Sequence, residues 1–210
     1  MTQQRATARR DEIVRAAAAE FDEVGYAAAS LSSIAARLGR TKGAMSYHFS
    51  SKASLAQEVA GYHYSRWGDV LGGIRGAGYA GLEAMVMLAF CVAGRFRDDV
   101  LVRAGIRLQH DAGLHGVELP MPFSWWISMT RSLLTEASEA GELAPDLDLD
   151  AAAEVLVEAF TGVQQVAHRV SGAQDIHERV EHYWLLLLPG LGVTNVPDLV
   201  QRLSAAAKEL

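Results

Sequence analysis

Residues 39–52, GRTKGAMSYHFSSK, combine side chains that suit contact with a polyanion and few that suit a protein core. Lys42 and Lys52 are charged, several residues carry hydroxyl groups, and Gly43 and Ala44 are small. Cations and hydroxyls bind phosphate oxygens, and small residues at the start of a helix let its backbone enter a major groove about 12 Å wide. The run therefore predicts a surface that contacts double-stranded DNA.

Each candidate in this run has an expected role. Thr41 is placed to cap a short helix, while Lys42 and the neighbouring amides meet phosphate. Ser46 and Tyr47 would reach base edges, thymine methyl groups or phosphates. We expect Phe49, in contrast, to pack inside the protein. The predicted DNA contacts are Arg9, Arg10, Ser32, Thr41, Lys42, Gly43, Ala44, Ser46, Tyr47, His48 and Lys52.

Some of these residues lie outside the short helix and would add contacts to the DNA backbone. Arg9 and Arg10 are expected in a frayed N-terminal arm that reaches phosphates or the minor groove. His48 and Lys52 are expected near the phosphates on the far side of the groove. Together they predict a DNA interface that includes backbone phosphates as well as base edges.

Three helices must position this run. Apolar residues at helical spacing predict a first helix that ends at Gly25. Ser30 and Gly39 are the expected cap and stop of a second helix, and Ser51 caps a longer one after the short helix at 42–48. Two short helices joined by a tight turn, behind a supporting helix, are typical of a helix-turn-helix.

Beyond residue 60 the chain keeps a helical period, with longer helices separated by Gly-rich or Pro-containing joints. No segment alternates with a period of two. The expected helices span about 51–74, 80–95, 98–112, 121–140, 149–170, 175–188 and 197–209. The sequence predicts an all-α protein with a three-helix helix-turn-helix domain at 1–52 and a larger helical body at 53–210.

Composition limits the classes of protein that remain. Half of the 210 residues are hydrophobic and the net charge is −6, which fits a globular chain with a substantial core. Residues 1–60 hold eight Lys/Arg against six Asp/Glu, and the remainder holds eleven against nineteen, which indicates two roles in one chain. A single cysteine, Cys91, and the lack of a membrane-length apolar run or a secretory signal predict a cytoplasmic protein, associated with the nucleoid when bound to DNA.

Two motifs suggest an enzyme, and neither has the setting that its chemistry requires. Residues 76–81 spell G-x-G-x-x-G, but dinucleotide binding needs that motif between a strand and a helix. His177 and His182 are five residues apart, which puts them about 140° apart around a helix. We therefore expect no catalytic residue, metal or cofactor, and a helical enzyme is the alternative class.

The stretch SLSSIAARLGRTKGAMSYHFSSKASL, at 30–55, resembles the DNA-binding signature of the tetracycline-repressor family. The matching positions are Ile34, Ala35, Gly39, Gly43, Tyr47, His48, Phe49 and Lys52. Ser46 departs from the pattern, because many relatives carry a bulky group there. The resemblance implies a TetR-like fold with a ligand-binding and dimerisation domain at 53–210, and an operator preference that differs at Ser46.

The body, at 97–113, 120–126 and 160–191, resembles the γ-butyrolactone autoregulator receptors of antibiotic-producing actinobacteria. The resemblance implies a homodimer that represses genes of secondary metabolism from a palindromic operator, until a small lipophilic signal of butyrolactone or furan type releases it. Pseudo-receptors of the same family answer to other ligands such as antibiotics and are the alternative. The net charge of −6 favours a true receptor.

The same resemblance aligns the pocket tryptophan of the receptors with Trp126, whose indole would cover a lactone ring and donate one hydrogen bond. Trp125 points about 100° away on the same helix, so the two rings cannot both face one pocket. An apolar stripe at 85–92 would line an acyl-chain tunnel, or else forms core. The predicted ligand contacts are Met85, Leu88, Ala89, Val92, Trp126, Phe160, Val163 and Gln164.

The segments at 149–170 and 175–188 are apolar on too many sides to be covered by one layer of protein. The family's dimer is a four-helix bundle made from these two helices of each protomer. The predicted interface residues are Val155, Val166, Val180, Trp184 and Leu187. The helix at 51–74 would carry the effect of ligand binding from the body to the DNA-binding head.

Overall fold

The computed structural model describes residues 2–41, 43, 45, 47–111, 117–119 and 122–209, and every regular element within these ranges is a helix. The helices are α1 (Thr2–Ala28), α2 (Leu31–Arg37), α3 (Lys52–Ser65), α4 (Trp67–Gly76), α5 (Gly81–Asp98), α6 (Val100–His110), α7 (Pro122–Glu139), α8 (Leu149–Ser171), α9 (Ile176–Leu187), a 3₁₀ turn (Leu188–Leu191) and α10 (Val196–Ala206). The all-α prediction is confirmed.

The helices form two compact units. The first comprises Met1–Arg66 and Asp99–Pro120, and the second comprises Trp67–Asp98 and Met121–Leu210. In the first, α1 and α3 both pack against α6, although α6 comes much later in the sequence. The division of functions at residue 52 stays a prediction, because the packing units follow other boundaries.

Helix α1 differs from the prediction at both ends. It begins at Thr2, so Arg9 and Arg10 lie on a formed helix and not in a frayed arm. It runs to Ala28, but Gly25 has a φ of 80° and a ψ of 167°, which bends the backbone at the predicted stop. A Cβ atom at Gly25 would lie 3.0 Å from side-chain atoms of Arg107 and Asp111, so this bend also allows a close approach by α6.

The predicted helix at 51–74 is two helices, α3 and α4, with Arg66 between them. The Arg66 guanidinium lies 3.2 Å from the Asp99 carboxylate and 4.1 Å from the centre of the Tyr62 ring, all within the first unit. Trp67 is fully buried in the second unit. The break therefore lies where the chain passes from one unit to the other. A single helix at 51–74 was the wrong expectation, and the role of this segment in carrying the effect of ligand binding stays a prediction.

Helix α5 is central to the second unit, where it packs against α4, α7, α9 and α10. It is apolar on almost every side, which is typical of a buried helix. Cys91 lies on it, and burial raises the pKa of its thiol, so it acts as a small hydrophobic residue. The G-x-G-x-x-G run at 76–81 joins α4 to α5 without a strand on either side, so the dinucleotide motif lacks its βαβ setting.

Candidate DNA interface and ligand cavity

Two serine pairs fix where α2 and α3 begin. The Ser30 hydroxyl accepts a hydrogen bond from the Ser33 amide and the Ser33 hydroxyl accepts one from the Ser30 amide, both at 3.0 Å. Ser51 and Ser54 repeat this reciprocal arrangement at the start of α3. These capping boxes satisfy amides that a helix start leaves without partners, and they confirm both predicted caps.

A left-handed glycine ends α2, as predicted. Gly39 has a φ of 64°, its amide donates to the Ala36 carbonyl, and the Arg40 amide donates to the Ala35 carbonyl, each at 3.0 Å. This pair of hydrogen bonds is the Schellman motif. It turns the chain sharply and so sets the direction of the following segment.

The segment after that turn has a buried face and an exposed face. Met45 and Phe49, four residues apart, are buried in the core of the first unit, together with Phe21. The Met45 carbonyl accepts hydrogen bonds from the His48 amide at 2.9 Å and the Phe49 amide at 3.0 Å. Tyr47 is 90% exposed on the other side. The packing role of Phe49 is confirmed, whereas Met45 was missed as an anchor.

The remaining predicted DNA contacts divide into exposed residues and residues that the structure leaves undescribed. Arg9, Ser32, Thr41 and Gly43 are exposed, and His48 is half-buried with its ring 5.3 Å from the Tyr47 ring. Lys42, Ala44 and Ser46 lie outside the described residues. Their roles stay predictions.

The Lys52 side chain contacts the end of α1. Its ammonium donates to the carbonyls of Tyr26 at 2.6 Å and Ala29 at 2.9 Å, and lies 4.2 Å from the centre of the Tyr26 ring. These carbonyls follow the bend at the end of α1, where a helix concentrates partial negative charge. Lys52 therefore has a structural role within the fold, and its predicted contact with phosphate stays a prediction.

Arg10 also makes contacts within the protein. Its guanidinium pairs with Glu58 of α3 at 2.5 Å and lies 5.1 Å from the centre of the Phe49 ring. Arg10 thereby contacts both α3 and the buried Phe49, and its predicted contact with DNA stays a prediction. The hydrogen bond to Glu58 is the main reason that the pKa of Arg10 is raised.

Arg37 and Arg40 form ion pairs with acidic residues of α1. Arg37 bonds both Glu20 and Glu23, and Arg40 lies 3.2 Å from Glu12. Glu20 is buried, and its pKa is lowered first by the Ser33 hydroxyl and then by Arg37. These pairs tie α2 and the turn after it to α1.

The predicted ligand contacts fall in the second unit. Met85, Leu88 and Val92 of α5 are buried, and Ala89 is half-buried. On α8, Phe160 and Val163 are half-buried, while Gln164 is one of few buried polar residues. Their assignment to a ligand cavity stays a prediction.

Trp126 is half-buried in an aromatic group that contains Trp67 as well as Trp125. Its ring centre lies 5.5 Å from that of Trp67 and 4.9 Å from that of Trp125. The planes of the two neighbouring indoles are 77° apart, so one ring meets the other edge to face, and Trp125 is exposed whereas Trp126 is half-buried. Trp67 was missed, although Trp67 and Ile74, seven residues apart and both buried, would have indicated an inward face of α4.

The predicted interface residues of α8 and α9 divide into buried and exposed side chains. Val180 and Trp184 are buried inside the protomer, so their assignment to the interface was wrong. They lie on the face of α9 that packs against the same chain. Val155 and Val166, also predicted for the interface, are exposed on α8, and further exposed apolar side chains are Val170 on α8 and Leu185 and Leu186 on α9. Leu187, at the edge of this face, is half-buried.

Other site types receive no support from the described part of the chain. No helix there is long and apolar enough to cross a membrane. No three His, Cys, Asp or Glu side chains in that part are grouped to hold a metal ion.

Two family profiles match the chain. The profile described as bacterial regulatory proteins, tetR family, matches residues 13–59, and the profile described as tetracyclin repressor-like, C-terminal domain, matches residues 79–193. The A-factor receptor protein of Streptomyces griseus is 33% identical over 204 residues, which cover 94% of this chain and 70% of that protein.

Solved structures are similar over nearly the whole chain. A γ-butyrolactone receptor described as ArpA-like is 30% identical with a TM-score of 0.82, and the match covers 96% of this chain and 99% of that one. CprB from Streptomyces coelicolor, in complex with its biological operator sequence, is 32% identical with a TM-score of 0.82, over 98% and 100% of the two chains. The chain therefore belongs to the tetR family of bacterial regulatory proteins.

Proposed function

We propose that this protein is a ligand-responsive repressor that binds a palindromic operator as a homodimer and leaves it when a small lipophilic effector binds. The observation that carries the proposal is the two-faced segment at 43–49. Met45 and Phe49 fix it to the core while Tyr47 projects outward. A side chain presented on a fixed backbone reads base edges at low entropic cost, because little freedom is left to lose on binding.

A second copy would cover the exposed apolar face of α8 and α9. Val155, Val166 and Val170 lie within about 60° of one another around α8, so they form one stripe. Exposed apolar stripes of this kind are typical of protein–protein interfaces. A two-fold dimer would present two recognition segments about 34 Å apart, one turn of DNA, and hence prefer a palindrome.

The effector is proposed to be a γ-butyrolactone or furan, and the regulated genes to be those of secondary metabolism. The family relation to an A-factor receptor and a γ-butyrolactone receptor supports this chemistry. The half-buried indole of Trp126, on a helix that packs against α5, supplies apolar surface and one hydrogen-bond donor. Release requires that the effector bind the DNA-incompetent form more tightly, by about 1–3 kcal/mol of coupling.

Fluorescence anisotropy with a labelled palindrome from upstream of the gene tests the proposal. The dimer is expected to bind it with salt-dependent affinity, and synthetic butyrolactones or furans are expected to release it. An antibiotic from the same producing strain is the comparison. Release by the antibiotic alone would assign the chain to the pseudo-receptors, and lack of binding to any such palindrome would contradict the repressor assignment.

A further inference from the structure

A groove of about 500 Å³ lies on the second unit, bounded by α4, α5, the start of α9 and the chain after α10. It lies on the opposite side of α5 from the predicted effector stripe. Phe90 and Gly94 line the groove, and they follow Leu88 and Val92 of the stripe by two positions each, or about 200° around the helix. The volume lies within the range of small-molecule sites.

The floor of the groove is apolar and carries one imidazole. The ring of His177 stacks on that of Phe90, with centres 6.0 Å apart and planes 29° apart. A Cβ atom at Gly94 would lie 3.4 Å from His177 Cε1, in ordinary van der Waals contact, so Gly94 lies directly beside the imidazole. His177 Nδ1 is buried and has no hydrogen-bond partner among the described residues.

The rim of the groove is cationic. Arg95 and Lys208 line it, and neither forms an ion pair with any residue in the described ranges. Arg97 also lines it and pairs with Asp98 at 2.7 Å. The pKa of His177 is lowered first by burial and then by Arg97 and Lys208, with Glu181 and Asp98 acting in the opposite direction. Asp69 and Asp98 also line the groove, so its three cations face two carboxylates and its lining carries a net charge of +1 above an apolar floor.

We propose that this groove binds a small organic anion, a carboxylate whose apolar ring or chain lies on Phe90 and whose charge is met by Arg95 and Lys208. Such a ligand would offset the one net positive charge of the lining, and it would place apolar surface on an aromatic floor. The site is separate from the predicted effector stripe, so the protein would carry two ligand sites of different chemistry.

The test uses benzoate as the probe and the neutral amide benzamide as its isostere. The histidines of the full-length protein are labelled with ¹³C at Cε1, and a His177→Gln variant identifies the His177 resonance. We expect a saturable shift of that resonance with millimolar benzoate and a rise in its pKa, because a nearby anion favours the imidazolium. Benzamide is expected to bind about tenfold more weakly, since it lacks the charge.

Two neighbouring glycines of α4 provide a matched pair of variants. An added Cβ at either Gly72 or Gly73 would meet no atom within 4 Å, so both helical positions accept a side chain. Only Gly73 lines the groove. Gly73→Met is expected to weaken benzoate binding at least about tenfold by filling the groove, whereas Gly72→Met binds as the wild type does.

A second variant separates charge from shape. Arg95→Gln combined with Lys208→Gln is expected to reduce benzoate affinity to about that of benzamide while leaving the fold intact. Equal binding of benzoate and benzamide, wild-type binding by Gly73→Met, or the absence of any saturable shift at His177 would each overturn the proposal.

Discussion

Met45 and Tyr47 point to opposite sides of the same short segment: Met45 is 1% exposed and Tyr47 is 90% exposed. The two side chains therefore have separable roles, although only one residue lies between them. Met45 fixes the segment to the core of the first unit, and Tyr47 is left free to contact DNA.

Tyr47→Ala is expected to weaken operator binding by about 1–3 kcal/mol and to leave the free energy of unfolding within about 0.5 kcal/mol of wild type. Met45→Ala is the matched comparison and should destabilise the fold by about 2–5 kcal/mol, because it leaves a cavity. Anisotropy and urea unfolding measure the two effects. Unchanged operator affinity in Tyr47→Ala would contradict the DNA-binding assignment.

Lys52→Met is expected to destabilise the protein by about 1–3 kcal/mol, since the carbonyls of Tyr26 and Ala29 lose their donor. The salt dependence of operator binding should stay as in wild type. Arg9→Gln, at an exposed position, should instead reduce the slope of log affinity against log salt by about one, with unchanged stability. If Lys52→Met also reduced the slope, Lys52 would contact phosphate after all.

The lowered pKa of Glu20 predicts a loss of stability in acid. A carboxylate whose folded pKa is depressed adds stability above its ordinary pKa of 4.5, and this is lost as the pH falls through the folded value. We expect Glu20→Gln to be less stable than wild type at neutral pH and to lose less stability on acidification. Urea unfolding across the acid range measures this. Glu23→Gln, at an exposed acid, is the control and should change little.

If the exposed apolar face of α8 and α9 forms the dimer interface, a variant at Leu186 and a variant at Trp184 should behave differently. Leu186→Glu should yield folded monomers, because it puts a charge on the exposed apolar face. Trp184→Ala should reduce the thermal midpoint, by a destabilisation of about 3–5 kcal/mol, because its ring fills the protomer core. Sedimentation and circular dichroism distinguish them. A dimeric Leu186→Glu protein would show that the second copy binds elsewhere.

The two adjacent tryptophans of α7 offer a test of the effector cavity. Trp126→Ala is expected to require at least about tenfold more butyrolactone to release the operator, with operator affinity itself unchanged. Trp125→Ala, at the exposed neighbour, should respond as wild type does. An equal response of the two variants would place the effector away from Trp126.

What the sequence predicts well depends on how far apart the interacting groups lie along the chain. The caps at Ser30 and Ser51 and the stop at Gly39 each rest on bonds that span three to five residues, so local patterns suffice for them. The apolar period likewise predicts that all regular elements are helices.

The failures arise where distant contacts decide the role of a side chain. The sequence does not show the contacts of Lys52 within the fold, because its carbonyl partners, Tyr26 and Ala29, lie more than twenty residues earlier. Val180 and Trp184 were predicted to lie in the dimer interface because α9 is apolar on several sides. The sequence does not show which of these sides packs against the core of the same protomer. At the break between α3 and α4, Arg66 pairs with Asp99, which lies 33 residues away in the sequence.

The first unit is built from two separate stretches of the chain, because the chain leaves that unit after Arg66 and returns to it at Asp99, just before α6. Leu101, Ala104 and Leu108 of α6 belong to the same buried cluster as Phe21 and Leu55. A fragment ending at residue 66 would therefore lack part of its own interior. Exchange of DNA specificity between relatives, in evolution or in the laboratory, must accordingly transfer α6 or preserve its contact residues together with the N-terminal helices.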